Sequence, residues 1–520
     1  MSLPAAVPSR SLQGVSKLQL TQDEKFMDKF QRKSVTLAVA GVFGGLLAAG
    51  AQAQYLAENA SSLSNVTVVR LAGASAQDLG LRNVLRRICV PGTLTQYVTS
   101  NQNAYLCTPN ASQVTGLPGN LLVYKTSVGG SGTGVGPVAA GSNLLFTNLP
   151  AMFAAGIGAT CAEPVVSAAI PGVLPDTLGL PQFRTRTCTS VLTANGVADA
   201  GLSDVEPALL PGGATPAQVA SLNARGTNQL VFGVPVTLAM YRGLQAAQFL
   251  GQDDTAANVP SLSKAQIAQI FTGTIVDSSQ LSGPTGVALP SNPLVVSHRV
   301  PTSGSQAITE VFFLNLRCTP AAQEFAQPDV TYGNDGLAYA GCASGNFFRV
   351  ANSGTSQVIA CLRGADSAGF WGIGNISTES VPSLTATDGQ WRYIKVDGHA
   401  PTILNAALGN YLFVAEQSMQ WVNSFTEASA GARFRVANYI RTNLGNPVVI
   451  ASLNGTFGQL FGQAGLLGVP NGGSISPPPA PLTEAAMVAR PVNTWSKSNV
   501  TALANCTFPQ IVTSQQTFPN

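Results

Sequence analysis

Along the chain, short apolar runs give way to turns of small residues and then to stretches with helical periodicity. Residues 66–71 form a β-branched apolar run typical of a buried strand, ending in Gly73-Ala74-Ser75-Ala76. Leu81, Val84, Leu85 and Ile88 then recur at i, i+3, i+4 and i+7, the apolar face of an amphipathic helix with Ser75 near its start. Residues 121–124 predict a short strand that leads into Val128-Gly129-Gly130-Ser131-Gly132-Thr133-Gly134. The chain becomes regular again over 197–204, and the valine-rich residues 230–239 read as another buried strand. Ser263-Lys264-Ala265-Gln266 is a capping box for a short helix with Ile267, Ile270 and Phe271 on its apolar stripe.

The same order returns at 293–318. Leu294, Val295 and Val296 form a strand, Arg299 follows, and Thr302-Ser303-Gly304-Ser305 is a turn. Ile308, Val311, Phe312 and Leu316 then mark a helix that Ser303 or Ser305 can cap. Farther on, 370–374 and 393–398 read as strand segments with turns, 411–415 predicts an approach to a helix over 418–425, and 432–444 supports another helix. Two regions lack periodicity. Residues 137–195 read as an excursion braced by Cys161 and Cys188, and residues 325–360 read as loop, with Gly341, Gly345 and Gly354. A proline-rich link at 477–481 precedes a tail containing Cys506. Strands alternating with helices predict an α/β fold.

Composition narrows the class. At 520 residues the chain is long enough for two or more domains, and 45% hydrophobic residues with only 10% charged ones argue against disorder. Arg32 and Lys33 precede an apolar run at 35–48, followed by Ala51-Gln52-Ala53, the form of an export signal cleaved near Ala53, with Met27 a more ordinary start. The run is short of the roughly 20 residues of a membrane span. Residues 1–53 hold six Lys/Arg and three Asp/Glu, so the remaining chain has a formal net charge of zero. That argues against a nucleic-acid binder, which would carry a basic face. Any anion must then be held by local geometry.

All eight cysteines follow the signal, none in a CxxC pair, and there are only two histidines, His298 and His399. The pattern favours disulfides over zinc. Cys89–Cys107 and Cys161–Cys188 are the expected bridges, with Cys318, Cys342, Cys361 and Cys506 left open. No GxSxG elbow and no set of metal-spaced carboxylates appears, and alternation places His298 opposite Arg299, as a packed residue rather than a base.

Arg299, the serines after it and a helix N-terminus read either as an ordinary strand–cap–helix unit with a surface arginine or as an anion-binding device. Guanidinium grips two oxygens, hydroxyls donate, and free amide N–H groups carry partial positive charge. The glycine turn at 129–134 lets backbone approach a ligand, although no Gly-Lys-Ser/Thr follows to make it a P-loop.

In this order the segments resemble the periplasmic phosphate-binding proteins of ABC phosphate importers. Gly73-Ala74-Ser75-Ala76 is similar to that family's first turn, Gly130-Ser131-Gly132 to its glycine–serine loop, and Leu202-Ser203-Asp204 to its Ser-Asp site. Residues 262–275 are similar to its helix ending in Gly-x-Ile. Arg299 with Ser303-Gly304-Ser305 is similar to its arginine and Ser-Gly-Thr clasp, with Ser305 in place of threonine. Lys395-Val396-Asp397-Gly398, with Pro401, Asn405, Gly409 and Tyr411, is similar to the return crossing between lobes.

The resemblance implies a two-lobed type II periplasmic binding protein fold with long loop insertions. A first lobe would run over 54–235 with an insertion at about 137–195, a second over 236–400, and a return with a C-terminal tail over 401–520. It implies inorganic phosphate or a similar oxyanion as ligand, held by Ala76, Gln77, Ser131, Asp204, Arg299, Ser303, Gly304 and Ser305. It also implies an ABC importer as partner, a monomeric protein outside the cytoplasm, no cofactor, no metal and no catalysis. Gln77-Asp78 departs from the family's Thr-Phe and puts a carboxylate near the anion. A secreted or cell-surface structural or adhesion protein reusing this fold without a ligand is the alternative.

Overall fold

The computed structural model describes residues 55–519 apart from 100, 173–176, 190–191, 211–213, 282–286, 288, 319–327, 333–346, 386–388, 456–463, 471–474, 479, 499–502 and 513–516. The expected export signal, Met27 and the cleavage point lie outside the described residues, as do Gly341, Cys342 and Gly345.

Strand β1 (Val66–Gly73) leads through a single 3-10 turn into helix α1 (Asp78–Ile88), which buries Leu81, Val84, Leu85 and Ile88 as their spacing predicts. β1 pairs in parallel with β2 (Asn120–Thr126), from Val66↔Asn120 to Ala72↔Thr126. On its other side it pairs in parallel with β3 (Ala200–Ser203), from Leu71↔Ala200 to Gly73↔Leu202. The three strands end together, so the turns that follow them open at one edge of the sheet, where α/β proteins place ligands.

Strand β4 (Leu222–Thr237) is 16 residues long. At about 3.3 Å per residue it spans roughly 50 Å, enough to belong to two sheets. In the second sheet, β5 (Leu294–Arg299) precedes helix α2 (Gly304–Leu314), and β6 (Phe348–Asn352) precedes α3 (Thr355–Ser367). β5 lies between β6 and β7 (Trp371–Gly374), parallel to both. The end of β4 joins this sheet by antiparallel pairing with β7 and with β8 (Trp391–Val396). The start of β4 pairs with β9 (Val414–Val422), which also pairs with β3 and so completes the first sheet. Helix α4 (Ala432–Asn443) covers that sheet with Val436, Ala437 and Ile440, packed in one core cluster with Leu71, Leu81 and Val84. The fold is a two-lobed mixed α/β structure whose lobes share β4 and are joined again between β8 and β9.

Two sequence expectations are corrected. Residues 418–425 were expected as helix, but 414–422 form β9, with Glu416, Gln417, Ser418 and Gln420 all buried. Strands buried on both faces show no alternation, and here their polar side chains find partners far away in sequence. Residues 325–360 were expected as loop, yet they contain β6 and the start of α3.

The expected bridges Cys89–Cys107 and Cys161–Cys188 are both present. Cys318, just past α2, bonds Cys506 in the C-terminal tail, and Cys361 is also disulfide-bonded. The tail is fixed by polar contacts. Glu416 of β9, fully buried, accepts from Gln229 Nε2 (2.9 Å), Ser496 Oγ (2.7 Å) and the Lys497 backbone N–H (2.6 Å). Asn505 donates its backbone N–H to Glu206 Oε1 (2.9 Å) and accepts the Glu416 N–H (2.8 Å). Arg317, ion-paired with Glu310, donates to the Leu209 carbonyl (2.9 Å), so the far end of α2 is tied to residues 206–209 beside the disulfide.

Candidate functional site

The site forms where the turns after β1, β2 and β3 meet the start of α2. Ser303 occupies the N-cap position of α2 in extended conformation, but its hydroxyl makes no cap bond. The first amides of a helix lack intrahelical partners, and here they lie against the first lobe. An added Cβ on Gly304 would fall 2.4 Å from Ser131 Oγ and 2.7 Å from Asp204 Cβ, so only glycine permits this approach. The glycine turn meets the clasp directly, because the Gly132 N–H donates to the Thr302 carbonyl at 3.0 Å.

Asp204 is the junction. Its backbone N–H donates to Ser131 Oγ (3.1 Å), its Oδ2 accepts from Ser305 Oγ (3.2 Å), and its Oδ1 accepts from Gln417 Nε2 (2.9 Å). Burial pushes its carboxyl above the usual aspartate range, opposed by the Gln417 bond, the Arg299 charge and the serine hydroxyls.

Arg299 reaches the site from the end of β5, which its own lobe braces. Nε donates to the Asn352 carbonyl (3.1 Å), Nη2 to the Ser353 carbonyl (2.7 Å) and Nη1 to Thr355 Oγ1 (3.2 Å). Asn352 is itself held, donating to Ser297 Oγ and to the His298 carbonyl, both at 3.1 Å. A guanidinium has five N–H groups, and these bonds leave two for another acceptor. Nη2 lies near Gly130, 3.7 Å from where its Cβ would be. Burial lowers the Arg299 pKa to about 10, against the pull of Asp204, so it stays charged at neutral pH.

Ser131, Asp204, Arg299, Ser303, Gly304 and Ser305 are therefore brought together and buried. Ala76 and Gln77 stand apart in role. Ala76 packs in the main apolar core, and Gln77 Nε2 donates to the carbonyls of Ser203 (2.9 Å) and Ser418 (3.4 Å), stitching the start of α1 to β3 and β9.

The carboxylate that departs from the family pattern is answered by a lysine absent from the expected site residues. Lys125, fully buried, lies 3.1 Å from Asp78 Oδ1 and donates to Ser127 Oγ (2.8 Å) and to the carbonyls of Gly73 (2.9 Å) and Ala74 (3.2 Å). Ser127 Oγ in turn donates to Asp78 Oδ2 (2.8 Å). Burial lowers the Lys125 pKa while Asp78 and Asp204 oppose the shift.

Glu379 also escaped sequence reading. It accepts from Ser377 Oγ (3.1 Å), and its surface is only partly covered. Desolvation nevertheless raises its pKa well above normal, with Asp204 and then Asp78 adding to the effect and the Ser377 bond opposing it. The sign of a buried lysine was visible in LLVYKT, where a cation ends an apolar run. Nothing in sequence linked Glu379 to Asp204. His298 is buried, with Nδ1 2.9 Å from the Arg299 carbonyl oxygen, and desolvation lowers its pKa to about 4; it is neutral at physiological pH.

Arginine, hydroxyls and a helix N-terminus converge on a buried carboxyl, and donors of these kinds suit an anion. Three solved structures are similar in outline. A substrate-binding protein with bound phosphate from Clostridium perfringens, described as part of a phosphate ABC transporter, overlaps 74% of this chain and 97% of its own, at 11% identity and a TM-score of 0.38. PstS from Borrelia burgdorferi overlaps 77% of this chain and 98% of its own, at 10% identity and a TM-score of 0.32. An ABC-type phosphate transport receptor from Vibrio cholerae overlaps 49% and 78%, at 14% identity and a TM-score of 0.29. No family model and no curated protein matches the sequence.

Proposed function

We propose that this chain is an exported solute-binding protein whose cleft captures inorganic phosphate, or a similar tetrahedral oxyanion, for ABC-type import. The observation that carries the reading is the meeting of Arg299, Ser305 and the α2 N-terminus from one lobe with Ser131 and Asp204 from the other. Arg299, Ser131, Ser303, Ser305 and the amides of Gly304 and Ser305 serve the acceptors of the anion; Ala76 and Gln77 contribute through backbone and support. Asp204 accepts the proton that phosphate carries and sulfate lacks, so sulfate meets an unanswered buried charge. The reading is one of binding without chemical change, by a monomer outside the cytoplasm. Disulfides accord with an oxidising compartment, and among the described residues no helix is long and apolar enough to cross a membrane.

Calorimetry of the purified protein with phosphate, arsenate and sulfate tests this. Heat is expected with the first two and not with sulfate, and Arg299→Ala should weaken phosphate binding by about 2–5 kcal/mol, the usual result of truncating one member of a buried charged contact. Absence of heat with every anion between pH 6 and 8 removes the reading. The alternative, a structural or adhesion protein reusing the fold, is favoured by two observations. The lobes already touch through Gly132 and Thr302, and the Cys318–Cys506 bond holds α2 to the tail.

A further inference from the structure

The first lobe's half of the site contains a charge pair of its own. Asp78 opens helix α1, and Lys125 lies one residue before the end of β2. Lys125 Nζ sits in a cage made of acceptors: the carbonyls of Gly73 (2.9 Å), Ala74 (3.2 Å) and Thr126 (3.4 Å), Ser127 Oγ (2.8 Å) and Asp78 Oδ1 (3.1 Å). Ser127 Oγ donates in turn to Asp78 Oδ2 (2.8 Å), which closes a ring of three side chains. An ammonium buried this deeply is costly unless it is both paired and hydrogen-bonded. Here it is both.

The ring lies within a few residues of the groups that meet at the cleft. The Ser127 carbonyl accepts the Gly130 N–H at 3.0 Å and so anchors the glycine turn that carries Ser131. An added Cβ on Gly130 would stand 3.7 Å from Arg299 Nη2. On the other side, Gln77, the neighbour of Asp78, donates to the Ser203 carbonyl (2.9 Å), one residue before Asp204. Ala74, whose carbonyl Lys125 holds, donates its own N–H to the Leu202 carbonyl (2.9 Å). Any net charge on the ring is therefore seated beside Ser131, Asp204 and Arg299.

On the reading that this cleft binds an oxyanion, we propose that Lys125 and Asp78 set its affinity as a pair. Lys125 cancels a carboxylate that otherwise repels the anion, and Asp78 holds the affinity below what the buried lysine alone would give. Lys125 acts through charge, without touching the ligand. The two residues push in opposite directions, and this separates their role from bracing: a brace weakens binding whichever half is removed.

The test is calorimetric titration of the disulfide-intact protein with inorganic phosphate at neutral pH. It compares the parent with Lys125→Met, Asp78→Asn and the double variant, with thermal midpoints measured in parallel. At the effective dielectric of a protein, a unit charge roughly 10 Å from an anion is worth about tenfold in affinity. Lys125→Met should therefore bind phosphate about tenfold more weakly than the parent, and Asp78→Asn about tenfold more tightly. In Asp78→Asn the amide oxygen still accepts from Ser127, and the remaining acceptors of the cage keep the ammonium charged. The double variant should return to within about threefold of the parent. Weaker binding in both single variants, or a double variant as weak as Lys125→Met, overturns the charge role. Lower midpoints with parent-like affinities overturn it as well and leave the pair a brace. Should Lys125→Met fail to fold, Asp78→Asn decides by its sign: tighter binding supports the proposal, and unchanged or weaker binding sinks it. Absence of heat with the parent removes the oxyanion reading itself, an outcome distinct from all of these.

Discussion

At Asp204, burial and hydrogen bonding pull the carboxyl in opposite directions, and burial wins. A raised folded pKa means that the folded chain holds this proton more tightly than the unfolded chain. The ionised group therefore costs stability at neutral pH, and the cost fades as pH falls toward the ordinary aspartate value. Asp204→Asn should raise the thermal midpoint at pH 7.5 by something on the order of a few degrees, with the gain shrinking by pH 4.5. The same variant should admit sulfate at least about tenfold better relative to phosphate. A lower midpoint with unchanged anion preference would identify Asp204 as a turn cap instead. Single residues also mark where sequence reading stopped. Arg299 and its serines were legible because they are neighbours in the chain. Lys125 and Asp78 are 47 positions apart in sequence; only the pairing of β1 with β2 brings them together.

Helix α2 shows what an element can do that its residues separately cannot. Its first turn rests on the first lobe because Gly304 has no side chain. Gly304→Ala must displace either Ser131 or the helix, an overpacking expected to cost about 1–3 kcal/mol of stability, and with it anion binding measured by calorimetry. Gly80, inside α1, is a fair control. Its Cβ would meet Leu444 Cδ2 at 3.6 Å, an ordinary contact, so Gly80→Ala should be neutral or stabilising by up to ~1 kcal/mol. Equal losses from both alanines would mean that the close approach at Gly304 is not special. Periodicity revealed α1 and α2, and an unbroken apolar run revealed β5, which is buried on both faces. Periodicity failed for β9, where Gln417 answers Asp204 and Glu416 answers the tail, so polarity that looked like a helix surface is buried on both sides of a strand.

For the whole molecule, the consequential feature is that α2 is held to the first lobe at both ends. Gly304 and Ser305 meet Ser131 and Asp204 at one end; Arg317 meets Leu209 at the other, beside the Cys318–Cys506 bond. Lobe opening must carry the tail along or detach it. Replacing both Cys318 and Cys506 with serine should speed phosphate release in stopped-flow measurements and lower stability by about 2–4 kcal/mol. Unchanged release with an unchanged midpoint would leave the tail as mere decoration. The α/β class was readable from strands alternating with helices. This fastening was not, because four cysteines allowed several pairings and the tail has no periodicity of its own.

The tail also sets an order in time. A chain emerging N-terminus first can assemble β1 to β9 while Glu416 and Glu206 still lack Ser496, Lys497 and Asn505, the partners that satisfy them. Until those residues arrive, Glu416 keeps Gln229 but lacks Ser496 and Lys497, Glu206 lacks both Asn505 donors, and the far end of α2 is held by Arg317 and Leu209 without the disulfide. The last segment to be made is thus the one that finishes the centre, and a chain interrupted before Trp495 carries its own mark of incompleteness into the hands of chaperones and proteases.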